Sequence, residues 1–298
     1  MLWLEQEKKW ENGYKMQGGN FVKHNSHSRV EGSVVYYRHT NTSEFFETIP
    51  MHTHNSCELL FVTKGNITYM VEGKNYQISR NSLIISWAGE AHSIIPNEPT
   101  EYDRYDIIID ETRCGTMFYQ MIPKDLDVFN LNGNELVCGL FKKMEYYCQN
   151  AEGEALHILL QHLTEELLYN VALISREQGI SNTGTANPVI TQAIAYINEN
   201  IMEPLTIEMI CKALFITKSH LHRMFMTHLN ITPKKYIMVK KLRMVQTELQ
   251  AGGHPTEISN RYGFANYATF YRNYKEFFGV VPSKWTDVRL ENDALEFM

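Results

Sequence analysis

The chain has 298 residues, of which 44% are hydrophobic, and a formal net charge of −6 at neutral pH. That length allows two domains of ordinary size, each with its own core. Five cysteines without a C-x-x-C pair argue against both a disulfide framework and a zinc finger. No run approaches the roughly 18 apolar residues of a membrane-spanning helix, and the first residues lack the basic flank of a signal peptide, so we expect a soluble, cytoplasmic protein.

The charge is distributed unevenly along the chain. Residues 1–187 carry 15 Lys and Arg against 24 Asp and Glu, whereas residues 188–290 carry 13 against 7. Positive charge concentrated on one segment is typical of a nucleic-acid-binding domain. Because the excess is modest, specificity would have to come from fit as well as charge.

The first 30 residues are polar, contain Gly13, Gly18 and Gly19, and show no sustained periodicity. They predict a short helix at best, followed by an N-terminal arm.

Short runs rich in β-branched and aromatic residues fill residues 31–111. The predicted strands include residues 58–63, 67–71, 75–78 and 83–87. Turn signals around Gly65 and Gly73 separate these runs, and the connections are too short to contain helices. The pattern predicts an antiparallel β-barrel or sandwich.

Four side chains of this domain have the chemistry of metal ligands. His52, His54 and Glu58 have the same parity and would share one side of an extended strand, and His92 follows a turn. Three imidazoles and a carboxylate could hold a divalent first-row metal such as Zn, Ni, Fe or Mn. The spacing resembles the metal motif of the cupin superfamily, although Trp87 stands where its second motif normally has Pro.

This predicted pocket has three possible roles. It could bind a metal ion, contact an organic effector without a metal, or be purely structural. The effector pocket is assigned to His52, His54, Glu58, Trp87 and His92, and the metal site to the same set without Trp87.

Residues 112–180 are predicted to be helical. One seam recurs at alternating steps of four and three and includes a polar residue: Leu156, Leu160, Leu163, Leu167, Asn170 and Ile174. A buried polar residue in such a seam can fix register and oligomeric state. The helix could pack on its own barrel or pair with a second subunit. We favour a homodimer, since two subunits would double the DNA contacts.

The sequence SNTGTANP at residues 181–188 is small and polar and predicts a linker. A DNA-binding domain is expected at residues 189–290, and residues 291–298 form a tail.

The segment at residues 205–229 has the plan of a helix-turn-helix. A short amphipathic helix ends at Leu214, Phe215 and Ile216 make a tight turn, and a second helix follows from Thr217 to Leu229. The candidate DNA contacts on this second helix are Thr217, Lys218, Ser219, His222 and Arg223.

A similar arrangement recurs at residues 258–282. Asn266 is predicted to cap a helix with one apolar stripe, formed by Phe270, Tyr274, Phe277 and Phe278. The opposite face could enter the major groove, where Arg reads guanine edges. The candidate contacts are Asn266, Tyr267, Thr269, Arg272 and Lys275. A helix from residue 233 toward residue 251 would hold the two units at a fixed separation, and about 34 Å would match successive major grooves.

These residues resemble the double helix-turn-helix domain of AraC-type transcription regulators across residues 205–285. The motifs are HLHRMF (residues 220–225), Pro233 with Tyr236, ISNRYGF (258–264), FFG (277–279) and VPSKW (281–285). This sequence departs from the usual family residues at Lys241, Val245, Glu248 and Thr286. In such regulators the barrel usually resembles a cupin in fold and takes a small organic effector.

The sequence therefore predicts a multidomain α and β architecture: an N-terminal cupin-like antiparallel β-barrel with a helical dimerisation segment, and a C-terminal all-α double helix-turn-helix. The predicted function is a ligand-responsive, sequence-specific regulator that binds promoter DNA and is not an enzyme. The alternatives are a metal-dependent cupin oxygenase or isomerase that carries a DNA-binding domain, and an effector-free regulator that works by partner contact.

Overall fold

The computed structural model describes residues 10–17, 20–31, 34–41, 48–54, 56–99, 101–109, 117–178, 184–287 and 295–296. Residues 1–9, Cys114, linker residues 181–183 and most of the tail lie outside this set. No helix in the described part of the chain is both long enough and apolar enough to cross a membrane.

Two antiparallel sheets form the N-terminal domain, and a short strand from the C-terminal tail, Leu295–Glu296, pairs at the edge of one of them. The strands are β1 (Trp10–Gln17), β2 (Asn20–Glu31), β3 (Val34–Asn41), β4 (Ile49–Thr53), β5 (Cys57–Lys64), β6 (Ile67–Val71), β7 (Lys74–Ile78), β8 (Ser82–Ser86), β9 (His92–Pro96), β10 (Tyr102–Ile109), β11 (Val128–Asn130), β12 (Thr185–Ala186) and β13 (Leu295–Glu296). The first sheet has the order β1-β2-β3-β10-β5-β8-β11, and the second has the order β12-β7-β6-β9-β4-β13. The predicted barrel or sandwich is confirmed, and we call this unit the barrel domain.

The helices of the described chain follow β10, with β11 and β12 between them and β13 after them. They are α1 (Met117–Met121), α2 (Glu135–Asn150), α3 (Gly153–Gln178), α4 (Pro188–Glu199), α5 (Ile207–Leu214), α6 (Lys218–Leu229), α7 (Pro233–Gln250), α8 (Pro255–Arg261) and α9 (Tyr267–Phe278). A 3₁₀ segment, Pro282–Asp287, follows α9.

The side chains of strand β5 show that the first sheet is buried on both faces. Leu60 and Val62 point into the core between the two sheets, and Leu59 and Phe61 point to the opposite face, against α2 and α3. Because alternate strand residues face opposite sides, a strand covered on both sides reads as a continuous apolar run. The unbroken run of residues 59–62 therefore reflects a middle layer.

The interpretation of residues 1–30 as a short helix and arm is wrong for the part that the structure describes. Strands β1 and β2 form a hairpin in continuous register, and β2 pairs with β3 at the edge of the first sheet. The pairing partner β3 lies outside this segment. A segment that adds to a sheet edge need not carry its own strong periodicity, because the backbone of the neighbouring strand supplies the ladder.

The leucine seam packs on its own barrel domain. Leu156, Leu160, Leu163 and Leu167 are all buried in the core shared with the first sheet. The Asn170 side chain donates to the carbonyl of Glu166 in the same helix. These leucines are therefore not available as a seam between subunits.

Side-chain caps set the starts of the C-terminal helices, as expected for Thr and Asn. Thr206, Thr217, Thr232 and Asn266 each accept a hydrogen bond from a backbone N–H of the helix that follows. Asn187 does the same for α4, so the helix begins at Pro188 and the predicted linker ends one residue early. Phe215 has a left-handed backbone, φ 54°, in the predicted turn between α5 and α6.

Helix α4 lies between the barrel domain and the first helix-turn-helix. Its Ile190 and Ile194 pack in one cluster with Met51 and Ala91 of the barrel domain. Gly73, in the turn between β6 and β7, has φ +78°, and a Cβ there would lie 2.2 Å from Cγ2 of Ile190. Only a glycine fits this approach.

We therefore expect Gly73→Ala to lower stability in two ways. Alanine at positive φ costs about 1 kcal/mol or more, and the overlap with Ile190 adds about 1–3 kcal/mol. Gly133→Ala is the matched control, because Gly133 has φ +80° with no atom within 4 Å of a Cβ. Urea unfolding of both variants measures the difference, and equal losses would contradict the proposed overlap.

Candidate effector site and nucleic-acid interface

His52, His54, Glu58 and His92 converge inside the barrel domain. One potential ligand atom from each residue lies within 4.8 Å of all the others. The ring centroids of His52 and His92 are 4.3 Å apart, and those of His54 and His92 are 4.9 Å apart. We call these four residues the imidazole cluster.

The cluster is assembled from both sheets. His52 pairs directly with His92 across β4 and β9 of the second sheet, and Glu58 lies on β5 of the first sheet. Equal parity along one strand predicted the convergence of His52, His54 and Glu58, but His52 and Glu58 lie on different strands, so that reason is wrong. The chain crosses from one sheet to the other after His54, and the crossing brings the carboxylate beneath the imidazoles.

Backbone carbonyls fix the tautomers of two imidazoles. Nδ1 of His54 lies 2.7 Å from the carbonyl of Ser56, and Nδ1 of His92 lies 3.0 Å from the carbonyl of Glu90. A carbonyl only accepts, so each Nδ1 carries the proton and donates it. Both Nε2 atoms are then left to face the centre of the cluster.

The centre of the cluster is rich in acceptors. The Nε2 atoms of His54 and His92 lie 3.4 Å and 3.3 Å from Oε2 of Glu58. Burial raises the pKa of Glu58, but the attraction of the two imidazoles outweighs it and holds the pKa well below its ordinary value. A positive charge at the centre, such as a metal ion, satisfies this arrangement. Imidazoles that ligate a metal usually donate their other ring N–H to a carbonyl or carboxylate, as His54 and His92 do here, so the residues fit a cation.

Hydroxyl groups lie beside the cluster and were not predicted from the sequence. Ser86 pairs opposite Glu58, and its Oγ lies 2.8 Å from Oη of Tyr69, whose ring is 6.1 Å from that of His92. The alternation along β8 could have identified Ser86. It lies two residues after Ile84, so both side chains face the same side of the strand, and Ser86 pairs with Glu58 as Ile84 pairs with Leu60.

Trp87 lies on the other side of the sheet. It packs in the core between the first sheet and the helices, with its ring 5.2 Å from that of Tyr119 and beneath the ammonium of Lys124. The structure therefore does not bring Trp87 into the imidazole cluster.

The first predicted DNA face is exposed on α6. Leu221 and Phe225 are buried, and Lys218, Ser219, His222 and Arg223 are exposed. The ammonium of Lys218 pairs with Glu208, and Nη2 of Arg223 lies 2.9 Å from Nδ1 of His220. Thr217 caps the helix through its hydroxyl.

The second predicted face is exposed on α9. Phe270, Tyr274 and Phe278 are buried and Phe277 is half-buried, as the stripe predicted. The remaining face exposes Tyr267, Arg272 and Lys275, with Thr269 half-buried. Asn266 is exposed, but its amide oxygen accepts from the backbone N–H of Thr269 at 2.8 Å.

A cleft of about 420 Å³ lies between α6 and the start of α7. It is lined by Ile207, Lys218, Ser219, His222, Thr232, Pro233 and Lys234. Two lysines beside a helix N-terminus suit an anion such as a DNA phosphate. Thr232 and Lys234 were not predicted, because they lie at the start of α7 and outside the two helices expected to contact DNA.

Lys241 joins the two helix-turn-helix units from inside α7. Its ammonium donates to the carbonyls of Glu203 and Tyr262, each at 2.7 Å. Burial lowers the pKa of Lys241. Glu248, a second departure from the family pattern, accepts from Oη of Tyr262 at 2.8 Å and pairs with Arg261. These two departures thus supply polar links between helices.

The fold and its surfaces define a two-domain DNA-binding protein with a ligand-binding barrel. Residues 33–112 match the profile of an AraC-like ligand binding domain, and residues 210–287 match that of a helix-turn-helix domain. The chain belongs to the AraC family of transcription regulators.

Several curated relatives match parts of the chain. The lactose operon transcription activator of Staphylococcus xylosus is 22% identical over 237 residues, which are 76% of this chain and 82% of that protein. The regulator ArgR of Pseudomonas aeruginosa is 32% identical over 114 residues, which are 38% of this chain and only 35% of that protein. A solved structure of ToxT from Vibrio cholerae aligns over 92% of this chain and 99% of its own, at 12% identity and a TM-score of 0.37.

Lys241→Met is expected to lower the free energy of unfolding by about 2–3 kcal/mol, because two carbonyls lose a charged donor. It should also weaken DNA binding, since the two helix-turn-helix units lose a shared anchor. Lys234→Met removes the same charge from an exposed position of the same helix and should leave stability within about 0.5 kcal/mol. Thermal unfolding compares the two, and equal stability would contradict the anchoring role.

Proposed function

We propose that this regulator reads promoter DNA with the exposed faces of α6 and α9 and senses its effector at the imidazole cluster. The observation that carries the DNA assignment is the burial of each apolar stripe, which leaves the basic faces of both helices at the surface. Because promoter DNA is its target, we place its action in the cytoplasm.

Base contacts are assigned to Arg223 and Arg272, whose guanidinium groups suit guanine edges in the major groove. Lys218, Lys275 and Lys234 are assigned to phosphates, which position the protein without reading sequence. The hydroxyl of Thr217 and the amide oxygen of Asn266 serve as caps, so their helix N-termini direct backbone N–H groups toward the duplex.

The occupant of the cluster is proposed to be a divalent first-row metal ion held by His52, His54, Glu58 and His92. Such an ion would supply a coordination position for an oxygen or nitrogen group of an organic effector. Tyr69 and Ser86 would then offer hydroxyl groups to that effector. We assign the ion to sensing and not to catalysis, because the matching relatives include transcription regulators.

We also propose a homodimer, in which two subunits double the DNA contacts. Since the leucine seam is committed to the barrel domain, the contact would use the outer face of α3, where Ile158 is exposed. Sedimentation equilibrium of the purified chain, with Ile158→Glu for comparison, measures the stoichiometry. A chain that stays monomeric and binds DNA without a second subunit would contradict this part of the proposal.

Arg272→Ala should weaken binding to the preferred DNA site by about 1–3 kcal/mol and relax the preference at one base pair. Exposed Glu276→Ala on the same helix is the control and should leave the base preference unchanged. Binding to a panel of single-base-substituted sites gives the readout. A loss of equal size on every site would make Arg272 a phosphate contact.

For the metal, chelator-stripped protein is expected to take up one equivalent of Co²⁺, with the visible absorption of a nitrogen- and oxygen-liganded ion. His54→Ala should lower the affinity by more than the about 10–100-fold that the loss of an outer-shell partner costs. His254→Ala, which replaces a histidine of the DNA-binding domain, should bind Co²⁺ as the parent does. No uptake by the parent chain would exclude the metal.

A further inference from the structure

The barrel domain and the DNA-binding domain share buried polar contacts that the sequence did not reveal. Glu72, only 8% exposed, lies between β6 and β7. Its Oε2 accepts from Oη of Tyr236 at 2.7 Å and lies 3.2 Å from the ammonium of Lys240. Its Oε1 accepts from the backbone N–H of Ala91 at 2.8 Å. One barrel carboxylate thus anchors two residues of α7.

Arg243 makes the second contact, one helical turn further along α7. It is 1% exposed, and its Nη2 donates to the carbonyl of Thr53 at 2.6 Å. Its guanidinium also lies 4.9 Å from the ring centroid of Phe277 and 5.3 Å from that of Phe278. This side chain therefore links the barrel domain to the helix that carries the second DNA face.

Both contacts end beside the imidazole cluster. Thr53 lies between His52 and His54 in the chain. Ala91 precedes His92, and Val71, which precedes Glu72, pairs with His92 across β6 and β9. A displacement of these imidazoles would therefore also displace the carbonyl of Thr53, which accepts from Arg243, and the N–H of Ala91, which donates to Glu72.

The energetics make these contacts responsive. A buried ion pair roughly breaks even, because the cost of removing two charges from water offsets their attraction, and only good geometry makes it favourable. Undocking would return Glu72, Lys240 and Arg243 to water. The docked state is therefore favoured only while β4 and β9 keep the carbonyl of Thr53 and the N–H of Ala91 in place.

We propose that Thr53, Glu72, Tyr236, Lys240 and Arg243 form an interdomain latch that couples occupancy of the imidazole cluster to docking of the DNA-binding domain. The coupling rests on the proposed function, in that a cation binds the cluster. An ion that fixes His52, His54 and His92 fixes the strand ends that the latch needs. By linkage, the docked domain must raise the affinity of the cluster for that ion by the same factor.

The test measures Co²⁺ affinity in the full chain with the latch weakened from either side. Arg243→Met removes the donor from α7, and Glu72→Gln removes the charge from the barrel domain with little change of shape. Neither residue belongs to the cluster. Each variant is expected to bind Co²⁺ less tightly, within the about 5- to 150-fold range of typical couplings. Lys212→Met, which removes an exposed charge from α5, should bind Co²⁺ as the parent chain does.

Hydrogen exchange supplies a readout that general destabilisation does not reproduce. Co²⁺ should slow amide exchange in peptides covering residues 236–243 of the parent chain, 180 or more residues from the ligands His52 and His54 in sequence, and this effect should vanish in Arg243→Met and Glu72→Gln. DNA affinity should respond to Co²⁺ in the parent chain and lose that response in both variants.

The outcomes separate the two ideas. Uptake of Co²⁺ with the same affinity in the parent chain and both latch variants would overturn the coupling and leave the metal site standing. No uptake by the parent chain would overturn the metal site and the coupling with it. A weakened affinity in both variants, with Lys212→Met unchanged, supports the latch.

Discussion

Helix α7 buries polar side chains in three directions, and each one satisfies a different neighbour. Lys241 donates to the carbonyls of Glu203 and Tyr262, Arg243 donates to the carbonyl of Thr53, and Gln246 accepts from Tyr274. A buried polar group without a partner costs several kcal/mol, so these bonds are available together only in one arrangement of the surrounding elements. The helix therefore fixes where both DNA faces lie and where the barrel domain docks.

Much of the C-terminal domain could be predicted because its signals are local. The stripe through Phe270 and Tyr274 repeats with the period of one helix, and caps such as Thr206 and Asn266 lie within three residues of the N–H groups that they accept. Both the period and the cap are properties of a single segment. Sequence alone is sufficient where the physics is confined to neighbours along the chain.

The remaining features depend on partners that are distant in sequence. Strand β2 forms by pairing with β3. The leucine seam has the pattern of a buried helix face, and that pattern does not tell whether the face packs on a second subunit or on the barrel domain. The imidazole cluster was found by composition, but the crossing between sheets that places Glu58 beneath His54 and His92 has no local signal. Trp87 directly follows Ser86 at the end of β8, so its side chain points to the opposite face of the sheet from Ser86 and away from the cluster. Its residue type alone does not indicate that direction.

The departures from the family pattern carry a related lesson. Lys241 and Glu248 stand at positions where the family usually has other residues. Each of them is hydrogen-bonded to the helix or loop that it faces. Arg243 links α7 to the end of β4, where His52 and His54 flank its acceptor Thr53. A charged side chain buried between packed helices ordinarily lowers stability, because it loses its hydration. Here the buried guanidinium of Arg243 connects the DNA-binding domain to Thr53, the residue between two imidazoles of the cluster.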